Sequence, residues 1–211
     1  ETPIGVPGPA AGGVGVGPYG TNLIAAPYEV AGDLRRMGFD RCATASNHAY
    51  DLGAGGIAST LDALDAAGIT HTGTARSPAG AVPQLLTING VKVAHLAFAR
   101  NSNTGWTRDP WRIRPAVDAS YVVADVAAAR AAGAEVVIVS LHVYIEMQYG
   151  PSSTDRALVQ QIVAAAHPDL ILITGPHVVQ PIERVGGTLV FWSLGNFMSG
   201  MGVSGRGKYS D

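Results

Sequence analysis

The sequence predicts an α/β protein built on a layered sheet, and three observations carry that prediction. Short, wholly apolar runs alternate with segments of helical period, the pattern of parallel strands buried on both faces. Two tight turns, Asn89-Gly90 and Gly186-Gly187, each join a pair of apolar runs and predict hairpins with antiparallel edges. No internal repeat period is present, so residues 1–211 are expected to form a single domain.

Residues 5–20 are rich in Gly and Pro and read as a long loop. "APYEVAGDLRRMG" has helical spacing and stops at Gly38, and "DRCATA" follows as a short strand. After the loop "SNHAYDLG", "GIASTLDALDAAG" reads as a helix ending at Gly68 and "ITHTGT" as a strand. "PQLLTINGVKVAHLAFAR" is the first hairpin. From Asn101 to Pro115 the pattern dissolves into a polar, Trp-containing loop long enough to suggest function. "SYVVADVAAARAAG" is a helix, "AEVVIVSLH" a buried strand, and "STDRALVQQIVAAAH" a helix with Ser153 or Thr154 as its expected cap. "DLILIT" is the next buried strand, and "IERVGGTLVFWSLGN" is the second hairpin.

With 47% apolar and 14% charged residues and a formal net charge of −2, nothing marks a nucleic-acid or anionic-membrane partner. No apolar run is long enough to span a bilayer. The one cysteine, Cys42, excludes an internal disulfide framework and reads as a buried, inert thiol. The opening "ETPIGVPG" has neither Met nor a signal-peptide pattern, and the end "SGMGVSGRGKYSD" looks like an interrupted loop. An internal section of a longer protein is therefore expected, lacking an upstream segment and a tail.

Ligands in open α/β sheets gather beyond the carboxyl ends of the parallel strands. Four predicted strands end there in polar groups: Asn47-His48, His142, His177 and Asn196. Their convergence at one sheet edge is the central expectation, whereas His71, His95 and His167 read as structural. Two chemistries suit such a cluster: ligation of a divalent metal, and acid–base catalysis near neutral pH. Spacing does not separate them.

"GFDRCATASNHAYDLGAGGIASTLDALDAAGITHTGT" resembles the middle motif of the CapA-like proteins, known as poly-γ-glutamate capsule synthesis proteins with a calcineurin-type metallophosphatase fold. "PHVVQPIERVGGTLVFWSLGNF" resembles the closing motif of that family, and "ETPIG" places Glu1 where its Asn-Leu-Glu motif ends. The resemblance implies a calcineurin-like layered β-sandwich flanked by helices, with the active site at strand carboxyl ends. It also shows departures. The Leu-His-Trp-Gly-x-Glu segment of the family stands here as "LHVYIEM", keeping His142 and Glu146 but placing Val143-Tyr144 where Trp-Gly is usual. Its Gly-His-His-Pro-His segment stands as "ITGPH", so Thr174 and Gly175 replace two histidines. The N-terminal Gly-Asp motif of the family is absent.

These departures point away from metal, toward the branch of the family similar to the lasso-peptide epimerases. That resemblance implies a cytoplasmic, cofactor-free isomerase that inverts one residue of a ribosomal precursor peptide by moving its Cα proton. His177, His48, Glu1 and Asn47 would be catalytic; His142, Glu146, Tyr144, Asn196 and Trp192 would bind substrate. The alternative is a metal-dependent hydrolase or capsule synthesis protein, holding Mn, Fe or Zn through Asn47, His142 and His177. A third reading is a peptide-binding module with Trp106, Trp111, Tyr144 and Trp192 along its groove.

Overall fold

The computed structural model describes residues 2–6, 12–143 and 145–197. Glu1 and Tyr144, both expected in the site, lie outside them. The chain divides into two compact units, Glu1–Val82 with Asn101–Pro115, and Pro83–Arg100 with Ala116–Asp211. Among the described residues, no helix is long and apolar enough to cross a membrane.

The first unit holds β1 (Ile4–Val6), β2 (Gly12–Val16), β3 (Asn22–Pro27), α1 (Glu29–Arg36), β4 (Arg41–Ala43), α2 (Gly53–Ala66) and β5 (Thr70–Thr72). Strands β1 and β2 flank β3, parallel and antiparallel respectively. The sequence reading had a loop over residues 5–20, because "GGVGV" and its partner "NLIAAP" carry no alternation; pairing across the chain makes the strands. Ile4, Ala26, Ala31, Leu64 and Ile69 form the small core beneath them. Strand β4 pairs in parallel with β5 alone, Cys42 opposite His71, in a separate two-stranded sheet. Asn47-His48 therefore does not extend the sheet that carries His142, which corrects the expectation of four equivalent strand ends.

The second unit supplies the many-stranded sheet and flanking helices of the expected α/β class. Its elements are β6 (Leu85–Ile88), β7 (Val91–Ala99), α3 (Ser120–Ala131), β8 (Val136–His142), α4 (Ser153–Ala166), β9 (Leu170–Thr174), β10 (Ile182–Val185) and β11 (Thr188–Phe191). The sheet order is β10-β11-β9-β8-β7-β6, with β7, β8, β9 and β11 parallel and the two outer strands antiparallel. Asn89 and Gly90 at φ 50° and 85° make the first hairpin turn as expected, since both positions need positive φ. One sheet face packs on α3 and α4: Val137, Val139, Leu141, Ile171 and Ile173 bury against Val122, Val126, Val159 and Ile162. Each such side chain contributes about 1.5–3 kcal/mol when removed from water.

Trp192, expected in a substrate groove, is 1% exposed and belongs to this core, where the Arg156 guanidinium lies 4.9 Å from its ring centroid. The indole continues β11 onto the helix-covered face, so a contact with substrate would require opening the core. His95 bonds Ser140 Oγ through Nε2 at 2.8 Å, His71 Nε2 meets Asp65 at 3.1 Å, and His167 caps α4 in the left-handed region. Each of the three thus has a local hydrogen-bonding or capping contact.

Helix α4 is capped by Ser152 rather than by Ser153 or Thr154: Ser152 Oγ accepts from Asp155 N at 3.0 Å. Ser152→Ala should therefore cost about 1 kcal/mol in urea unfolding, and Ser153→Ala less than about 0.5 kcal/mol. Cys42 is half-buried beside a cavity of about 120 Å³ that Ile4, Thr44, Ile57 and Leu64 also line. Burial pushes its thiol up from the ordinary value. Alkylation of the native protein should be slow at neutral pH and accelerate only above the free-thiol range of about 8.5; a rate equal to that in denaturant would contradict the half-buried placement.

Candidate functional site

In the first unit, the chain leaves β4 through a run of tight turns into α2. Ala49 N donates to Ser46 O (3.2 Å), Asp51 N to His48 O (3.0 Å) and Gly53 N to Tyr50 O (2.8 Å). Polar, turn-forming residues at 46, 47 and 51 fit such a path. The turns set His48 and Asp51 three residues apart on one side, with His48 Nδ1 2.6 Å from Asp51 Oδ2. The same oxygen accepts the Ile24 amide of β3 at 2.8 Å, and the Asp51 side chain is fully buried. A carboxylate only accepts, so Nδ1 carries the proton and Nε2 keeps the lone pair of neutral His48.

Asn103, from the long loop, closes this group. Its amide N donates to Asn47 O at 2.9 Å. Its Oδ1 accepts Asn47 Nδ2 at 3.3 Å, and its Nδ2 lies 3.2 and 3.3 Å from the two His48 ring nitrogens. Near-equal distances to both ring nitrogens set the Asn103 amide against the ring face, outside the direction of the in-plane Nε2 lone pair. Thr21 Oγ1 donates to Asn103 O, which ties in the β2–β3 turn. Asn47 Oδ1 and Asp51 Oδ1 are buried acceptors to which the described residues offer no donor. A buried polar group left without a partner typically costs about 1–3 kcal/mol.

In the second unit, parallel register aligns Ala99, His142 and Thr174 at the carboxyl ends of β7, β8 and β9. His142 is buried and hydrogen-bonds Thr174 Oγ1 through Nδ1 at 3.1 Å. Beyond β9 the chain turns at Gly175, φ 113°, and reaches His177 at φ 64°, a left-handed conformation uncommon for a side chain with Cβ. His177 Nδ1 donates to Asn196 Oδ1 at 2.8 Å, which again puts the proton on Nδ1 and the lone pair on Nε2. His177 Nε2 lies 3.9 Å from Glu146 Oε1, a partly exposed carboxylate. Met147 N donates to Pro176 O, and Gln180 Nε2 to Gln148 O, so the segments after β8 and β9 brace each other.

Gly175 has no room for a side chain. A Cβ there would stand 2.0 Å from Val143 O, and the positive φ disfavours every other residue. The family resemblance implies a divalent metal with a histidine ligand at this position. The lone pairs on His48 and His177 suit such an ion, since ligating imidazoles usually donate their other N–H to an acceptor. The donor count does not: among the described residues, no group of three or more His, Cys, Asp or Glu could hold a metal.

Of the expected site residues, Asn47 and His48 lie together in the first unit; His142, Glu146, His177 and Asn196 lie in the second. Sequence reasoning passed over Asp51 and Asn103. The His-x-x-Asp spacing was a usable signal for Asp51, but nothing local marked Asn103.

The family profile described as "Bacterial capsule synthesis protein PGA_cap" matches residues 1–201. The chain is 31% identical to the "PGA biosynthesis protein CapA" of Bacillus subtilis (strain 168) over 173 residues, covering 80% of this chain and 45% of that protein. It is 27% identical to the "Capsule biosynthesis protein CapA" of Bacillus anthracis over 188 residues, covering 85% of this chain and 44% of the relative. The chain thus spans less than half the length of these curated relatives. It belongs to the bacterial capsule synthesis protein family represented by CapA.

Proposed function

We propose that the chain is the CapA-type part of a capsule biosynthesis protein that hydrolyses amide bonds of a polyglutamate-like polymer through histidine acid–base chemistry. Family membership supports the substrate class. The observation that carries the chemistry is the His48–Asp51 pair, in which a buried carboxylate fixes Nδ1–H and leaves the Nε2 lone pair as the reactive atom. Nε2 takes a proton from water as the water oxygen adds to the amide carbonyl. The same proton passes to the leaving nitrogen as the C–N bond breaks, so His48 serves in turn as base and acid. Asp51 acts through His48, holding its tautomer and orientation. No step is routed through a metal.

A second reading has a specific observation in its favour. The bare Gly175 supports a metal-free isomerase that exchanges a peptide Cα proton at His48 or His177, as in the epimerase branch of the family. Hydrolysis and Cα exchange require the same lone pairs but leave different products, so one incubation separates them. With γ-linked oligoglutamate in deuterated water, the hydrolase reading expects shorter chains without Cα deuterium. Intact chains carrying Cα deuterium and inverted residues would replace it with the isomerase.

His48→Ala should reduce turnover by about 10²–10⁴-fold. Asp51→Asn should lower kcat with little change in KM and alter the pH profile, because the amide N–H can donate to Nδ1 and so move the His48 proton to Nε2; an unchanged profile would contradict the positioning role. Gly175→Ala should cost about 1–3 kcal/mol from backbone strain alone, and Gly175→His should bring no stoichiometric Mn, Fe or Zn by elemental analysis. Loss of wild-type activity on chelation, restored by one of these ions, would overturn the metal-free chemistry while leaving the capsule assignment in place.

A further inference from the structure

The connection Asn101–Pro115 belongs to the first unit and is too well braced to be a slack linker. At its inner end, Asn103 touches Asn47 and His48. Ser102 Oγ then donates to Gly105 O (2.9 Å) and Thr107 Oγ1 to Asp109 O (2.8 Å). Asp109 accepts Arg112 Nε at 3.0 Å, and the Arg112 guanidinium lies 4.4 Å from the Trp111 ring centroid. An antiparallel bridge between Thr74 and Ile113 fixes the far end.

This loop and the neighbouring β2–β3 turn present aromatic and basic side chains outward. Trp106 is 40% exposed, and Tyr19, from the β2–β3 turn, is 70% exposed. The two rings lie on adjacent chain segments: a Cβ built on Gly105 would stand 3.1 Å from the Tyr19 hydroxyl. Arg108, two residues after Trp106 on the same loop, is exposed. Arg35, Arg36, Arg76 and Arg112 of this unit pair with carboxylates, and Arg41 and Arg114 also have partners. Among the described residues of the unit, Arg108 is the arginine without one. Exposed indole and phenol rings favour the methylene and amide portions of a chain, and an unengaged guanidinium favours a carboxylate in bidentate geometry.

We propose that Tyr19, Trp106 and Arg108 form a binding platform for a carboxylate-bearing peptide chain next to the His48 group, with Arg108 taking a side-chain or α-carboxylate and the rings taking the backbone. This rests on the polyglutamate reading above and adds to it the surface that engages the polymer. The position of Asn103, shared by the platform loop and the His48 group, couples binding to the reactive nitrogen.

The test is calorimetric titration of the purified protein with a γ-linked glutamate oligomer and with its α-linked counterpart. Wild type, Arg108→Gln, Arg108→Glu and Trp106→Ala are compared, each first checked for an unchanged melting transition. These positions are exposed, so folding should persist. Arg108→Glu is expected to weaken binding at least tenfold, Arg108→Gln and Trp106→Ala severalfold. Added salt should weaken wild type more than Arg108→Gln. If the oligomers bind wild type and Arg108→Glu equally, the platform is wrong and the polyglutamate reading stands. If neither oligomer binds wild type, that reading falls, and the platform falls with it.

Discussion

Asp51 Oδ2 carries two bonds on which the first unit depends. One, from the Ile24 amide, ties the carboxylate to β3 of the three-stranded sheet. The other, to His48 Nδ1, ties it to the turn that leaves the separate β4–β5 pair. A single buried oxygen thus couples two sheets that share no ladder. Removing it would leave a β-strand amide and an imidazole N–H without an acceptor, so structure and chemistry cannot be varied independently here. The remaining oxygen, buried without a donor among the described residues, is a cost that the fold tolerates.

In the second unit the corresponding constraint is the close approach of two chain segments. The Val143 carbonyl occupies the space that a side chain at 175 would need. That approach brings the segment after β8 against the segment after β9, where Met147 and Pro176 then share a hydrogen bond. His177 is held in a left-handed conformation and oriented by Asn196. The same tight packing leaves no room at 175 for the histidine that the family resemblance implies there. Both units arrive at the same local solution, an imidazole whose Nδ1–H is bound and whose Nε2 holds the lone pair.

Much of the second unit was legible because its elements are long and periodic. Strands β8 and β9 are uninterrupted apolar runs, and the turns carry residues that accept positive φ. In the first unit α1, β4, α2 and β5 were legible too, but β2 was not, since "GGVGV" offers little but backbone and becomes a strand only beside β3. Ser152 was missed among three consecutive hydroxyl residues, where only the spacing to Asp155 decides which one caps. His48, His177 and Asn196 could be read from strand ends and family motifs. Trp192 was misread because an aromatic beyond a strand is equally consistent with a groove and with a core. Asn103 could not be read at all, because its role exists only through contact with residues 55 positions away.

His48 and His177 are both expected to carry their proton on Nδ1 when neutral, with the lone pair on Nε2. Nitrogen NMR of protein labelled at histidine, recorded above the imidazole titration range, measures this directly. The account predicts protonated-type Nδ1 and lone-pair-type Nε2 signals for both residues, assigned through His48→Gln and His177→Gln. A protonated Nε2 on His48 would contradict it, because the Asp51 carboxylate would then have no proton to accept.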